Sequence, residues 1–318
     1  SMITIQDLAK SCGVSVATIS RAFSPNGKIN SHTRELILQK AKELNYVPNT
    51  IARSLQSKQT NSIGIIVPEI TNSFYFSVIQ RMEYQYREKG YHFVIGFYQR
   101  GLSCESDIIE NMASCRVDAL IFSPTDRESE TVLKRCFPQG NILQLFCKTY
   151  DEYPSLVIDD IAGTANAVEY LISKGHSKIL YYGEQSRSVG YTETMKKHGI
   201  DISDLYYPSY FLEAFDAGEC IKKANPTAIL AIAKWSESVV SALHRMGLRI
   251  PDDVSLIAYD DVEWTRMLDI TTVSHPLDSI AAVSIEILLK GLSDGSIILP
   301  VHKQINPYLV IRDSVKQI

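Results

Sequence analysis

TIQDLAKSCGVSVATISRAFSPNGKINSHTRELILQKAKELNYVPNTIARSL, residues 4–55, is the stretch whose reading decides the fold. Ile5, Leu8 and Ala9 recur at helical spacing and form one apolar face, with Asp7 and Lys10 on the same helix. Gly13 supplies the left-handed residue that a helix end requires. Ser15 is placed as the N-cap of a short second helix, Val16 to Phe23. Ile19 turns toward the first helix, while Val16, Ala17, Thr18, Ser20 and Arg21 are left to point outward. Two short helices about a tight turn, the second with a small and polar outer face, form a helix-turn-helix whose second helix can enter a DNA major groove.

The following residues support that unit. Thr33 to Leu44 has the period of a third amphipathic helix, with Leu36, Ile37, the Lys40 stem, Ala41 and Leu44 expected to close a three-helix core. Pro48 stops this helix, and Asn49 can cap another. That last helix, Thr50 to Leu55, is too short to be stable alone in water, which makes it a candidate for folding on DNA. Gln56 to Asn61 is polar and aperiodic and reads as a joint.

The runs GVSVATISR and TRELILQKAKELNYVPNTIARSL, followed by IGIIVPEI, resemble the lactose-repressor/galactose-repressor family of bacterial transcription regulators, collinearly over nearly the whole chain. The resemblance implies a helical helix-turn-helix head on an α/β body. That body would be a two-lobed, periplasmic-binding-protein-like pair of doubly wound parallel sheets. It implies a DNA-binding domain at 1–60, with a hinge helix at 50–55, and an effector-binding and dimerisation domain at 61–318. The lobes would be roughly 61–158 plus 276–306, and 159–275 plus 307–318. A homodimer on near-palindromic operator DNA, usually repressing, and a small-molecule effector, most often a sugar, follow from the same resemblance. The DNA-facing residues would be Thr4, Ser15, Val16, Ala17, Thr18, Ser20, Arg21, Ser24, Asn49, Ala52, Arg53 and Leu55. Leu55 would wedge into the minor groove, and small Ala52 would let paired hinge helices approach. Ser24 stands where relatives usually carry Asn and has a shorter reach.

Charge agrees with such a division. Residues 1–60 carry eight Lys or Arg against three acids, a balance of +5. The remainder carries 24 against 33, a balance of −9. A basic head on an acidic body suits a head that binds the duplex and a body that stays off it. Six cysteines are scattered without a CxxC pair or a Cys/His cluster, which suggests reduced, mostly buried thiols in a cytoplasmic protein. No signal peptide or membrane-length apolar run is evident. Ser1 ahead of Met2 reads as a cloning remnant, and the six residues after Arg312 leave no room for a heptad tail.

Beyond Ile63, short apolar strands alternate with amphipathic helices. Strands are expected at 63–67, 92–97, 119–122, 142–146, 156–158, 179–182, 228–232 and 254–258, and a final one at 304–312. Helices are expected at 74–89, 106–114, 128–136, 161–174, 189–198, 214–223 and 237–246, with a crossing helix at 280–289. This rhythm implies parallel sheets with helices on both faces.

Ligands of open parallel sheets sit where loops converge at the strand C-termini. The loop Pro68–Tyr75 offers Asn72, Phe74 and Tyr75. Asp159, after a strand end, can accept from ligand hydroxyls or simply cap the next helix. Arg187 resembles the family's effector-binding arginine, and its guanidinium suits paired hydroxyls or a carboxylate. Asp260 of Asp260–Asp261 resembles the family's acidic ligand acceptor. Phe211 and Trp235 could supply a ring face. Relatives carry Asn-Asp after the strand ending at Ile232, whereas this chain has Ala233-Lys234-Trp235, so a sugar hydrogen bond from that corner is in doubt. Lys234 pointing inward would favour an acidic ligand; pointing to solvent, a neutral sugar. Neither a cofactor nor a metal is expected, because phosphate-binding glycine loops, nucleophile elbows and metal spacings are missing. Two rivals remain at this point, a sugar-binding transport protein sharing the body and an enzyme on the same doubly wound scaffold.

Overall fold

The computed structural model describes residues 3–24, 27–48, 59–68, 73–98, 104–209, 216–294 and 298–318. The hinge helix expected at 50–55, and with it Asn49, Ala52, Arg53 and Leu55, lies outside the described residues, as do Asn72 and Phe211. The chain divides into two compact units, residues 1–60 and 61–318.

The first unit holds α1 (Ile5–Cys12), α2 (Val16–Ala22) and α3 (Ser31–Glu43). Thr4 starts α1 by a capping box with Asp7, and Gly13 ends it in the left-handed region at φ +66°. Ser15 caps α2 by accepting from the Thr18 N–H at 3.2 Å. Leu8, Ala9, Ile19, Ala22, Ile37 and Ala41 make the buried core. Leu36 departs from the expectation, being 55% exposed. It lies one position before Ile37, which with Ala41 is buried in this core, and Leu44 packs half-buried against it. The Lys40 stem is likewise no core element; its ammonium pairs with Glu43 at 2.9 Å. Arg34 closes the loop after α2, donating to the carbonyls of Ser24 and Gly27 at 3.2 and 2.7 Å.

The second unit contains two six-stranded sheets. In chain order its elements are β1 (Ser62–Pro68), α4 (Ser73–Glu88), β2 (His92–Tyr98), α5 (Glu105–Ser114), β3 (Ala119–Phe122), α6 (Glu130–Cys136), β4 (Ile142–Leu145) and β5 (Ser155–Ile158). There follow α7 (Asp160–Ser173), β6 (Ile179–Glu184), a 3-10 turn (Gln185–Arg187), α8 (Val189–Lys197), β7 (Tyr206–Ser209), α9 (Ala217–Ala224) and β8 (Ala228–Ala231). The rest is α10 (Trp235–Arg245), β9 (Ser255–Tyr259), α11 (Glu263–Met267), β10 (Thr271–Ser274), α12 (Leu277–Asp294), β11 (His302–Ile305) and β12 (Tyr308–Val310). The first sheet runs β11-β5-β4-β3-β1-β2 and the second β12-β10-β9-β8-β6-β7. Every pairing is parallel except β10 with β12.

Alternation along the strands divides the first core. Ile63, Ile65 and Val67 face α4 and α12, through Val78, Met82, Ile280 and Leu288. Ile66, Leu120 and Phe122 face α5 and α6, through Ile109, Met112 and Leu133. The second sheet is buried between its own helices around Leu180, Leu230 and Ile257.

Several elements differ from the sequence reading. The single strand expected over 304–312 is two, β11 in the first sheet and β12 in the second, split at Asn306-Pro307. The chain thus passes between sheets at 158–160, 274–277 and 305–308. Strands β7 and β10 were not anticipated. β7 is a sheet-edge strand containing Pro208, a residue edges tolerate. β10 reads polar but is buried, because Thr271 exchanges hydrogen bonds with Arg312 at 3.1 and 3.0 Å and Thr272 donates to Asp261 at 3.0 Å. Helix α12 spans 18 residues, beyond the expected 280–289. Among the cysteines only Cys220 is buried, and Cys104 and Cys115 are exposed, which corrects the expectation of mostly buried thiols.

Candidate functional sites

On the head, α2 has two distinct faces. Ile19 is wholly buried and fixes its inner side, while Val16, Ala17 and Arg21 are exposed outside. Ser20 and Ser24 are half-buried at its rim. Thr18 is half-buried, its hydroxyl 2.9 Å from the Ser15 hydroxyl, and Thr4 is exposed but engaged as the α1 cap. Ser15, Thr18 and Thr4 therefore already serve the helix termini. Gly27 was not singled out in the sequence, yet a Cβ there would overlap the Arg21 carbonyl; the loop that ends α2 closes only with glycine.

In the body, the polar residues converge where strands of the second sheet end. β8 lies between β9 and β6. The segments after these three parallel strands, around Trp235, Asp260 and Arg187, therefore emerge side by side. Arg187 is the centre. Its Nε lies 3.4 Å from Asp160 Oδ2 and 3.9 Å from Glu184 Oε2, and the guanidinium carbon stands 4.8 Å over the Tyr259 ring. Tyr259 donates its hydroxyl to Asp160 Oδ1 at 2.7 Å. Burial alone would lower the guanidinium's proton affinity, but the charges of Asp160, Asp260 and Glu184 hold it well above its usual value. Its Nη1 is buried without a hydrogen-bond partner among the described residues, as is Trp235 Nε1.

Asp260 is buried, at φ +82°, and its Oδ1 is 2.9 Å from His275 Nε2. An ionised carboxylate only accepts, so that nitrogen carries the proton. Asp159 takes the capping alternative: its Oδ1 accepts from the Ala162 N–H at 2.9 Å at the start of α7. The neighbouring Asp160, one residue into the helix, faces Arg187 instead. Asp160, Glu184, Tyr259 and His275 were all missed in the sequence. The phase of the helix start decides which of the two adjacent aspartates faces Arg187.

The first sheet supplies the opposite wall. Phe74 and Tyr75 start α4 and pack on Phe146, with ring centroids 5.3 and 5.7 Å away. Phe74 reaches His275 at 4.6 Å, between the two sheets. Burial pushes the Tyr75 phenol up to about 12, against the opposing pull of Ser123 and Arg187. A cavity of about 360 Å³ adjoins this cluster, with Phe74 and Arg81 on one side, Asp261, Arg266 and Tyr308 on the other, and His275 in its wall. Lys234 is exposed, its ammonium 5.3 Å over the Trp235 ring.

Comparison with known proteins completes the picture. Residues 4–49 match the family described as bacterial regulatory proteins, lacI family, and residues 168–315 match a periplasmic binding protein-like domain. Catabolite control protein A of Priestia megaterium is 28% identical, with 95% of this chain and 97% of that protein covered. The HTH-type transcriptional repressor PurR of Vibrio vulnificus (strain CMCP6) is 29% identical with both chains fully covered. The ribose operon repressor of Escherichia coli (strain K12) is 27% identical, over 98% of this chain and 100% of that protein. In fold, the chain resembles the Lac repressor bound to ONPG in the repressed state, with TM-score 0.78, 24% identity and coverage of 99% and 100%. It also resembles the CelR–cellobiose complex, with TM-score 0.69, 22% identity and coverage of 98% and 99%. A helix-turn-helix unit followed by this two-sheet body defines a DNA-binding transcriptional regulator. More particularly, its residues 4–49 match the lacI family of bacterial regulatory proteins, and relatives aligned along the whole chain are HTH-type transcriptional regulators.

Proposed function

We propose that this regulator is a repressor in which residues 1–60 bind operator DNA and residues 61–318 dimerise and hold a sugar or sugar derivative between the two sheets. The observation that carries this reading is one chain pairing an exposed α2 face with a buried Arg187 donor that lacks an acceptor among the described residues. Val16, Ala17 and Arg21 would read base edges, with Ser20 and Ser24 toward phosphates. One recognition helix covers a half-site, so a twofold dimer would bind a near-palindrome. The Lac repressor dimer bound to operator and the cellobiose complex of CelR support the same assignment of parts.

In the cleft, Arg187 and Trp235 would donate to ligand oxygens, Asp160 and Asp260 would accept, and Phe74 and Tyr75 would lie against the ring. Asp159 contributes by fixing the start of α7. The body would bind without catalysis. Among the described residues no helix is long and apolar enough to cross a membrane, and the place of action would be the cytoplasm. Selection of bound sites from random DNA, with and without a carbohydrate panel, tests the proposal. A near-palindromic consensus whose recovery responds to one carbohydrate is expected; absence of any enriched sequence refutes it.

A further inference from the structure

The relation between charge and hydrogen-bond capacity in the cleft is uneven. One guanidinium, Arg187, is surrounded by Asp160, Glu184 and Asp260. With His275 neutral that set sums to −2, and with His275 protonated to −1. The other cations near the cleft do not correct the balance: Arg81 pairs with Asp278 at 3.3 Å, Arg266 pairs with Asp261 at 3.2 Å, and Lys234 is exposed and stands over the Trp235 ring. Yet, among the described residues, the buried atoms of this group without a partner are two donors, Arg187 Nη1 and Trp235 Nε1, and His275 Nδ1, which accepts while Nε2 carries the ring proton. The carboxylates already have partners, Asp160 in Tyr259 and Arg187 and Asp260 in His275, and keep lone pairs only for groups that donate, such as ligand hydroxyls.

We infer that the cleft selects an uncharged, oxygen-rich ligand and rejects anionic ones such as sugar phosphates and uronates, with Asp160 and Glu184 as the residues that set this charge preference. The inference rests on the reading of the cleft as the effector site. Free donors call for oxygen acceptors, which hydroxyl, ring-ether and carbonyl oxygens supply equally well. An anion would also satisfy the donors, but only by entering a low-dielectric site that already carries net negative charge. The Arg187 guanidinium, which taken alone in the sequence invites a carboxylate, is neutralised before any ligand arrives. Because Tyr259 stacks beneath it and holds Asp160 from the other side, the guanidinium cannot leave these carboxylates for a ligand without breaking two contacts.

The test is calorimetric titration of the full chain with neutral pentoses, hexoses and disaccharides and with their phosphorylated and uronic counterparts. Wild type should bind a neutral member and bind its anionic counterpart at least about tenfold more weakly. Glu184→Gln, at a partly exposed rim position, should narrow that gap about tenfold, and adding Asp160→Asn should narrow it further; thermal unfolding checks that both variants fold. Lys234→Ala should leave the preference unchanged. An anionic sugar that binds wild type more tightly than its neutral counterpart overturns the inference alone. So does a gap that Glu184→Gln leaves untouched. Failure of every carbohydrate, neutral or anionic, overturns the effector reading beneath it.

Discussion

Replacement of Ile19 separates the stability of the head from its recognition surface. Ile19 is fully buried on the inner side of α2, and of the six buried core residues only Leu8, Ile19 and Ile37 are larger than alanine. Ile19→Ala therefore removes one of the three large fully buried side chains of the head, around which half-buried residues such as Phe23, Leu44 and Tyr46 pack, while every outward residue of α2 stays. Truncations of this kind cost roughly 2–5 kcal/mol, whereas Ile→Val costs about 0.5–1.5 kcal/mol. A core in a unit of this size rarely supplies more than about 3–5 kcal/mol. Ile19→Ala should bring the head close to its unfolding midpoint at 25 °C, and Ile19→Val should leave it folded. Thermal unfolding by circular dichroism and fluorescence anisotropy on a selected DNA site would follow the two effects. Ile19→Ala should lower the head transition and the DNA affinity together, with ligand binding by the body unchanged. Val16→Ala, at a 40% exposed position, should reduce DNA affinity without moving the transition. An Ile19→Ala chain that keeps both the wild-type transition and wild-type DNA affinity would refute the reasoning.

Three further outcomes are expected. DNA binding should weaken linearly on a log–log salt plot. Arg21→Ala should cost about 1–3 kcal/mol and relax one base position, whereas Arg34→Ala should lower head stability, because its guanidinium holds the Ser24 and Gly27 carbonyls. Gly190→Ala would drive a Cβ into the Ile161 carbonyl and to 2.8 Å from the Ala165 nitrogen, prising α8 from α7. A loss of about 1–3 kcal/mol in the body transition and weaker sugar binding should follow; calorimetry showing neither would contradict the packing account. His176 is buried, its Nε2 bonded to the Lys316 carbonyl at 3.0 Å, and burial lowers its proton affinity. Protonation is then harder folded than unfolded, so its contribution is complete above the unfolded pKa of about 6.5 and declines as pH falls toward the folded value. The slope from one proton cannot exceed about 1.4 kcal/mol per pH unit. His176→Gln should flatten this part of the acid limb in denaturant titrations, and an unchanged limb would exclude the assignment.

Local chemistry was enough to read much of the architecture. Gly13, Ser15 and the spacing of Leu8, Ile19 and Ile37 specify a helix-turn-helix because caps, turns and helical period are short-range properties. The βα rhythm after Ile63 likewise marks parallel sheets, since such strands are buried on both faces and read as apolar runs. Only tertiary structure decided the rest. Polar β10 becomes interior because Arg312, distant in sequence, and Asp261, on the preceding loop, satisfy its threonines. One apparent strand after residue 302 serves two sheets because the chain crosses at Asn306-Pro307. Between Asp159 and Asp160, a single step in helix phase makes one a cap and turns the other toward Arg187. The charge around that arginine comes from segments as far apart as residues 160 and 260, and such a sum exists only once folding has brought them together.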